Sequence, residues 1–326
     1  MNNGKRITAF FLVLLSLIFL SSGLFYRAAK KTQDPSLLRR NAAFMDLEKE
    51  PRGSIDLLVL GDSESYTSIS PMQVYNETGI TTYVAGQSGQ NMAEMYHMFE
   101  TAMKTQTPKV VMIETHALIH SKGSAYDLQN MGTELAQTCF PIFSYHNLWK
   151  GRLAGESAKV SAWKGFRVKS GVRACLDTKK YMQPTGHIRL VPSGNRAIFD
   201  KILKECKDKN IEVVLYSAPS PVNYNYANHN GIELLSKESG VSYLDLNLET
   251  ADIGIDWLQD TMDAGDHLNI SGAEKTTQYL IPYLQSLNLP DHRGQKAYAD
   301  WDHLAGKYDS QVAGMIRKIR ESNEKV

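Results

Sequence analysis

The sequence predicts an α/β fold, a mostly parallel sheet with helices on both faces, preceded by one N-terminal transmembrane helix. Three observations predict it. Short continuous apolar runs recur along the chain, the pattern of parallel strands buried on both faces. Helical patterns alternate with them, which in repetition gives parallel βαβ units. A separate apolar stretch of twenty residues stands near the N-terminus.

That stretch, Ile7 to Tyr26, carries no charge. At 1.5 Å per residue it spans about 30 Å of hydrocarbon. It exceeds the apolar core of an ordinary cleavable signal, so it is read as a retained anchor although Ser21, Ser22 and Gly23 resemble a cleavage site. Residues 1–31 form the tail and anchor, with Lys5, Arg6, Arg27, Lys30 and Lys31 as their charges. The whole chain of 326 residues balances 36 basic against 35 acidic residues. Without the anchor the remainder holds 31 basic against 35 acidic, which excludes a basic nucleic-acid binder. The 42% hydrophobic content of the whole chain excludes a disordered protein. The expected location is the cell membrane, single-pass, with the large part extracytoplasmic.

Residues 32–53 read as a polar linker. Ile55 to Leu60 then forms the first strand and ends at Gly61-Asp62-Ser63-Glu64. Further strands are expected at Thr81 to Ala85, Lys109 to Glu114, Ile211 to Ser217 and Val241 to Leu246. Helices are expected at Asn91 to Lys104, Ser193 to Lys209 and His229 to Ser239, with another after Ser271. The main domain runs from 54 to 290. Within it, about 120–191 breaks the alternation and reads as an insertion or lid, whose Trp149, Trp163 and Phe166 either pack or present a glycan-binding face. Residues 291–326 form a C-terminal helical tail, helical from Ser310. Cys139, Cys175 and Cys206 fit neither a disulfide framework nor a zinc spacing, so no metal or cofactor is expected.

Ligands of such sheets sit beyond the carboxyl ends of the strands. Ser63 lies there, and a serine nucleophile needs a base oriented by a carboxylate. The segment Asp260 to Asn269 supplies both in His267 and its neighbouring aspartates, if the last strand and its loop lie beside the first. Bland alternatives stand beside these readings: a turn at Gly61-Asp62-Ser63, a cap at His267, turn glycines at Gly86 and Gly89, and a local bond between Glu114 and His116.

The blocks LLVLGDSES, VAGQSGQN, KVVMIETHA and DAGDHLNISGAEK together resemble the SGNH/GDSL hydrolase superfamily. They are similar to its membrane-anchored branch of DltD-type and alginate O-acetylation-type proteins, in outline from Ile55 to Leu287. The resemblance implies an SGNH-like, flavodoxin-like sandwich with Ser63 as nucleophile and His267 as base. The orienting acid usually stands three residues before that histidine, where this chain has Ala264. Asp263 is the first candidate, Asp266 the second and Asp260 a remote third. The family's oxyanion glycine matches Gly89, with Gly86 as the alternative, and its asparagine is replaced by His116. The resemblance implies a tethered serine esterase or O-acyltransferase acting on small O-acyl groups of a surface polysaccharide or polymer, beside a membrane-bound O-acyltransferase. The other reading is a non-catalytic accessory protein of such machinery.

Overall fold

The computed structural model of the chain describes residues 3–32, 38, 41–121, 123–148 and 163–323. Its centre is a five-stranded, wholly parallel sheet of β1 (Leu57–Gly61), β2 (Thr82–Gly86), β3 (Val110–Glu114), β4 (Glu212–Ser217) and β5 (Ser242–Asp245), in the order β2-β1-β3-β4-β5. Every residue of β1, β2 and β3 is buried. Alternate side chains of one strand enter opposite layers, as the pleat requires. Leu58 and Leu60 of β1 and Val111 and Ile113 of β3 join one core. Leu57 and Val59 with Val110 and Met112 join the other. Burial of each such leucine contributes about 2 kcal/mol, which explains why these runs are apolar throughout and not alternating.

The first layer is covered by α2 (Ala42–Lys49), α5 (Met92–Met103), α9 (Ser193–Asp208) and α10 (Tyr226–Ser239), and the second by α4 (Pro71–Thr78), α11 (Thr250–Ile253) and α12 (Ile270–Ser286). Local chemistry sets several of their ends. Ser70 caps α4, with Pro71 in its first turn, and Gly79 closes it at φ 77°. Asn91 and Glu94 form a reciprocal capping box at the start of α5. Asn269 accepts from the backbone N–H groups of Ser271 and Gly272 to start α12.

Three elements differ from the sequence expectation. The polar stretch before the first strand contains α2, whose Phe44 and Leu47 pack into the core. The C-terminal helix, α13, runs from Ala299 to Asn323 and begins eleven residues before Ser310. Its Trp301 and Tyr308 pack with Tyr75, Trp163 and Phe166, so burial in a separate aromatic core defines that start. The last strand does not lie beside the first, because β3 and β4 separate β5 from β1.

The 29-residue helix α1 (Asn3–Lys31) is long and apolar enough to cross a membrane, and its apolar stretch is almost wholly unburied by the protein. Between β3 and α9 come α6 (His116–Ile119), α7 (Ser124–Cys139) and α8 (Ile142–Tyr145), and none of the described residues there adds a strand to the sheet. Residues 163–175 form a strap over the carboxyl edge. Val84 N–H donates to Lys164 O, Arg167 N–H to Tyr66 O, Ile270 N–H to Lys169 O and Arg173 N–H to Thr261 O. Gly165, at φ 88°, admits this approach, since a Cβ there would collide with the Val84 carbonyl. Trp163 and Phe166 are buried by this packing and offer no face to a glycan. Trp149 lies outside the described residues.

Candidate active site

The order of strand addition reverses at β1, with β2 on one side of it and β3 on the other, so the crevice at the carboxyl ends of β1 and β3 is the switch point where an open α/β sheet places its ligand. Ser63 opens α3 (Ser63–Ser68) immediately beyond β1. Asp62 caps that helix, with Oδ1 accepting from Glu64 N–H at 3.0 Å. Its Oδ2 lies 2.7 Å from His116 Nδ1 across the crevice. The Tyr66 phenol has the Ser63 and Ser88 side chains as hydrogen-bonding neighbours, and Arg167 lies over its ring at 4.4 Å.

The His267 loop arrives from the far side of the sheet. Ser220, in the loop after β4, donates its hydroxyl to Gly265 O and Asp266 O at 3.1 and 2.9 Å. Asn223 Nδ2 donates to both Asp266 Oδ1, at 2.6 Å, and Glu64 Oε1, at 2.5 Å. One donor atom each from Glu64, Asp266 and His267 lies within 4.8 Å of the others. The imidazole therefore stands beside the residue that follows Ser63. The reach comes from the loop after β4 serving as a bracket, not from adjacent strands.

Asp263 holds His267 twice: Oδ2 at 2.7 Å from Nδ1, and Oδ1 accepting the backbone N–H at 2.6 Å. Asp266 Oδ1 is 3.7 Å from the same nitrogen. Asp260 is elsewhere, buried against Lys275 at 2.6 Å and accepting the Asp256 N–H. The spacing of four residues between acid and histidine is accommodated by two consecutive left-handed residues, Ala264 at φ 65° and Gly265 at φ 93°. An L-residue there costs about 1–2 kcal/mol. We expect Ala264→Gly to leave stability within about 1 kcal/mol, since relief of strain offsets the added freedom of the unfolded chain. Gly265→Ala sets a Cβ 2.9 Å from Cys175 Sγ and is expected to cost about 1–3 kcal/mol. Thermal unfolding of the two variants checks both values, and equal destabilisation would contradict the strain assignment.

The candidate oxyanion residues occupy different settings. Gly89 lies in an exposed turn after β2 at φ 58° with open space around its Cα. Gly86 is buried where a Cβ would collide with Ser65 Oγ and the Asp62 carbonyl, so it serves the close approach of β2 to the turn that carries Ser63. His116 stands in the crevice with Nδ1 taken by Asp62, which leaves Nε2 as the ring nitrogen turned away from that carboxylate's bond. Its backbone N–H donates to Glu114 Oε2 at 2.9 Å, the local bond also expected from the sequence. His229 and Asp245 pair with each other at 2.7 Å near the β5 edge, and His229 packs between Tyr226 and Tyr243.

Four further polar residues belong to this site: Asp62, Glu64, Tyr66 and Asn223. Asp62 and Glu64 lie within the LLVLGDSES block but had no role assigned there, Tyr66 follows that block directly, and Asn223 carried no sequence signal. Glu64 and Glu114 are 2% and 1% exposed. Burial first, then the Asp62 charge, pushes the Glu64 carboxyl well up and Glu114 to about 8. Burial alone would lower His116, but the bond and charge of Asp62, with Glu114, outweigh it and raise the imidazole. The crevice thus biases two carboxyls toward the neutral acid and one histidine toward its cation, which limits negative charge beside Ser63.

This predicts a pH dependence. A group whose folded pKa is raised favours folding below its unfolded pKa and loses that contribution as pH rises through the folded value. Glu64, Glu114 and His116 are all raised, so all three act in one direction. The thermal midpoint is expected to fall between about pH 5 and pH 8, the window set by the ordinary glutamate value and the raised Glu114. Glu114→Gln should flatten that slope. Parallel slopes for the two proteins, measured by thermal denaturation, would contradict the assignment.

No family model matches the chain, and no curated protein matches it. Solved structures similar to it include a candidate acylhydrolase from Bacteroides fragilis, 10% identical with a TM-score of 0.41, over 77% of this chain and 97% of that one. A psychrotrophic esterase from Pseudoalteromonas, in a structure inhibited by monoethylphosphonate, is 14% identical at 0.39, over 72% and 98%. A gut microbial diltiazem-metabolizing enzyme is 12% identical at 0.29, over 73% and 48%. At these scores the likeness is one of outline, and the chemistry rests on the residues themselves.

Proposed function

We propose that the chain is a membrane-tethered, extracytoplasmic serine esterase or O-acyltransferase of the SGNH/GDSL type. The observation that carries this is the Asp263–His267 pair standing beside the first turn of α3, which Ser63 opens. With Nδ1 held by Asp263, the base is presented through Nε2, the tautomer a serine nucleophile needs. Ser63 Oγ attacks an ester carbonyl carbon while its proton passes to His267 Nε2. The carbonyl π pair moves onto oxygen, where Gly89, the Ser63 backbone N–H and His116 Nε2 serve as donors. Collapse breaks the bond to the alkoxy group, which leaves with the proton from His267. Water then releases the acyl group as acid, or a sugar hydroxyl takes it as a new ester.

The substrates in this reading are small O-acyl groups of a surface polysaccharide or polymer, and a membrane-bound O-acyltransferase is the fitting partner. Two features support it. Helix α1 would confine the site to the membrane surface, and the bias of Glu64 and Glu114 toward the neutral acid suits an uncharged ester. A second reading, an accessory protein without turnover, is favoured by one residue only: His116 replaces the family's asparagine and is engaged by Asp62. A fluorophosphonate probe separates the two. The full-length protein in detergent is expected to be labelled at Ser63, and an unlabelled Ser63 in folded protein would leave the accessory reading.

A further inference from the structure

Away from Ser63, a cavity of about 380 Å³ lies between the C-terminal part of α1 and helices α2, α5, α7 and α8. Phe19 and Gly23 of α1, Phe44 and Met45 of α2 and Tyr145 of α8 give it apolar walls. Its polar wall is held in place by internal bonds. The Tyr26 hydroxyl donates to Glu48 at 2.6 Å and Lys30 Nζ lies 2.7 Å from the same carboxylate, which ties the end of α1 to α2. His97 Nδ1 lies 2.8 Å from the Thr138 hydroxyl, and burial, then the Lys104 charge, lowers its pKa toward the neutral imidazole. A wall of this kind tolerates an uncharged, hydrocarbon-rich guest.

The same helices carry a second, independent feature. Leu128, Met131 and Leu135 of α7 are 71%, 45% and 66% exposed and recur at helical spacing, so one face of that helix presents an unpartnered apolar stripe. Phe143, just beyond, is 49% exposed. An exposed apolar stripe beside a span-length apolar helix is suited to the headgroup and acyl boundary of a bilayer. The cavity shares helix α7 with that stripe and helix α1 with the span, being lined by Gln137 and Thr138 of the one and Phe19 and Gly23 of the other.

We propose that this cavity binds an acyl chain of a membrane lipid, drawn from the bilayer between α1 and α7. The occupant follows from position and lining. One wall of the cavity is the helix that would sit in hydrocarbon, and the volume is within the range of small-molecule sites, roughly 300–1,000 Å³. The proposal rests on the membrane placement of α1 and adds to it a specific lipid site, which would fix the domain's height and tilt over the membrane surface.

The test uses the full-length chain in nanodiscs of palmitoyl-oleoyl phosphatidylcholine doped with a phosphatidylcholine bearing a diazirine on one acyl chain. Photolysis is expected to label the peptides 42–49 and 137–145 at Phe44, Met45 and Tyr145, buried residues that line the cavity, whereas Phe143 of the second peptide is exposed and its labelling does not count. Gly23→Trp is expected to reduce that labelling at least tenfold, because a Cβ at Gly23 meets nothing within 4 Å and the ring has the cavity to enter. Ser144→Trp, filling from the opposite wall, should do the same, while Leu12→Trp on the same span should not. Thermal midpoints identify a misfolded variant, and either filling variant that folds decides the outcome. A chain that enters the nanodisc with those peptides unlabelled, or labelled equally in the filled variants, overturns the lipid site alone. A chain that does not enter the nanodisc overturns the membrane reading and the lipid site with it.

Discussion

Alanine at Ser63 is expected to lower kcat/KM for p-nitrophenyl acetate by at least about a thousandfold, with no loss of fold. The magnitude follows from the role: without the nucleophile there is no acyl-enzyme, and a triad whose serine is removed retains only what binding and the oxyanion donors supply. The fold should survive because Ser63 is the first residue of α3, only partly buried, and its cap is supplied by Asp62. Circular dichroism and the thermal midpoint report on that point separately from activity. Equal activity of the wild type and Ser63→Ala on acyl esters would remove the enzyme reading for this substrate class.

The second large effect concerns the orienting acid. Asp263→Asn is expected to reduce kcat by about a hundredfold to ten-thousandfold, with KM little changed. An amide in place of the carboxylate stabilises the wrong imidazole tautomer and cannot balance the imidazolium. Asp266→Asn should cost about tenfold or less, because its carboxylate stands at 3.7 Å from His267 Nδ1 against 2.7 Å for Asp263. Asp266 instead accepts from Asn223, which also reaches Glu64, so its substitution loosens the joint between the His267 loop and α3. The reverse order of effects would transfer the orienting role to Asp266. Measured in full-length protein across pH, the pair also separates electrostatic loss from simple displacement, since a displaced loop changes KM as well as kcat.

Much of this arrangement was legible before any coordinates. Continuous apolar runs are the unavoidable consequence of strands buried on both faces, and all five strand positions could be read from them within two or three residues. The helix starts at Asn91 and Asn269 follow from cap chemistry that acts within three residues. Contacts between distant segments left weaker marks. Helix α2 was hidden in a polar stretch because only Phe44, Met45 and Leu47 give it an apolar face, too few to define a period. The early start of α13 depends on Trp301 meeting Tyr75, residues 226 positions apart.

The sequence by itself determined the sheet, its parallel sense, the apolar N-terminal helix and the two segments that bear Ser63 and His267. These depend on local periodicity and on residue chemistry, which the order of residues encodes directly. Only the tertiary structure decided how those segments meet. The last strand lies three places from the first, the loop after β4 spans the gap through Ser220 and Asn223, and two left-handed residues turn Asp263 back onto His267. It also decided the charge of the crevice. Glu64 and Glu114 are ordinary carboxylates in the sequence, and are pushed toward the neutral acid because folding removes their water and sets Asp62 beside them.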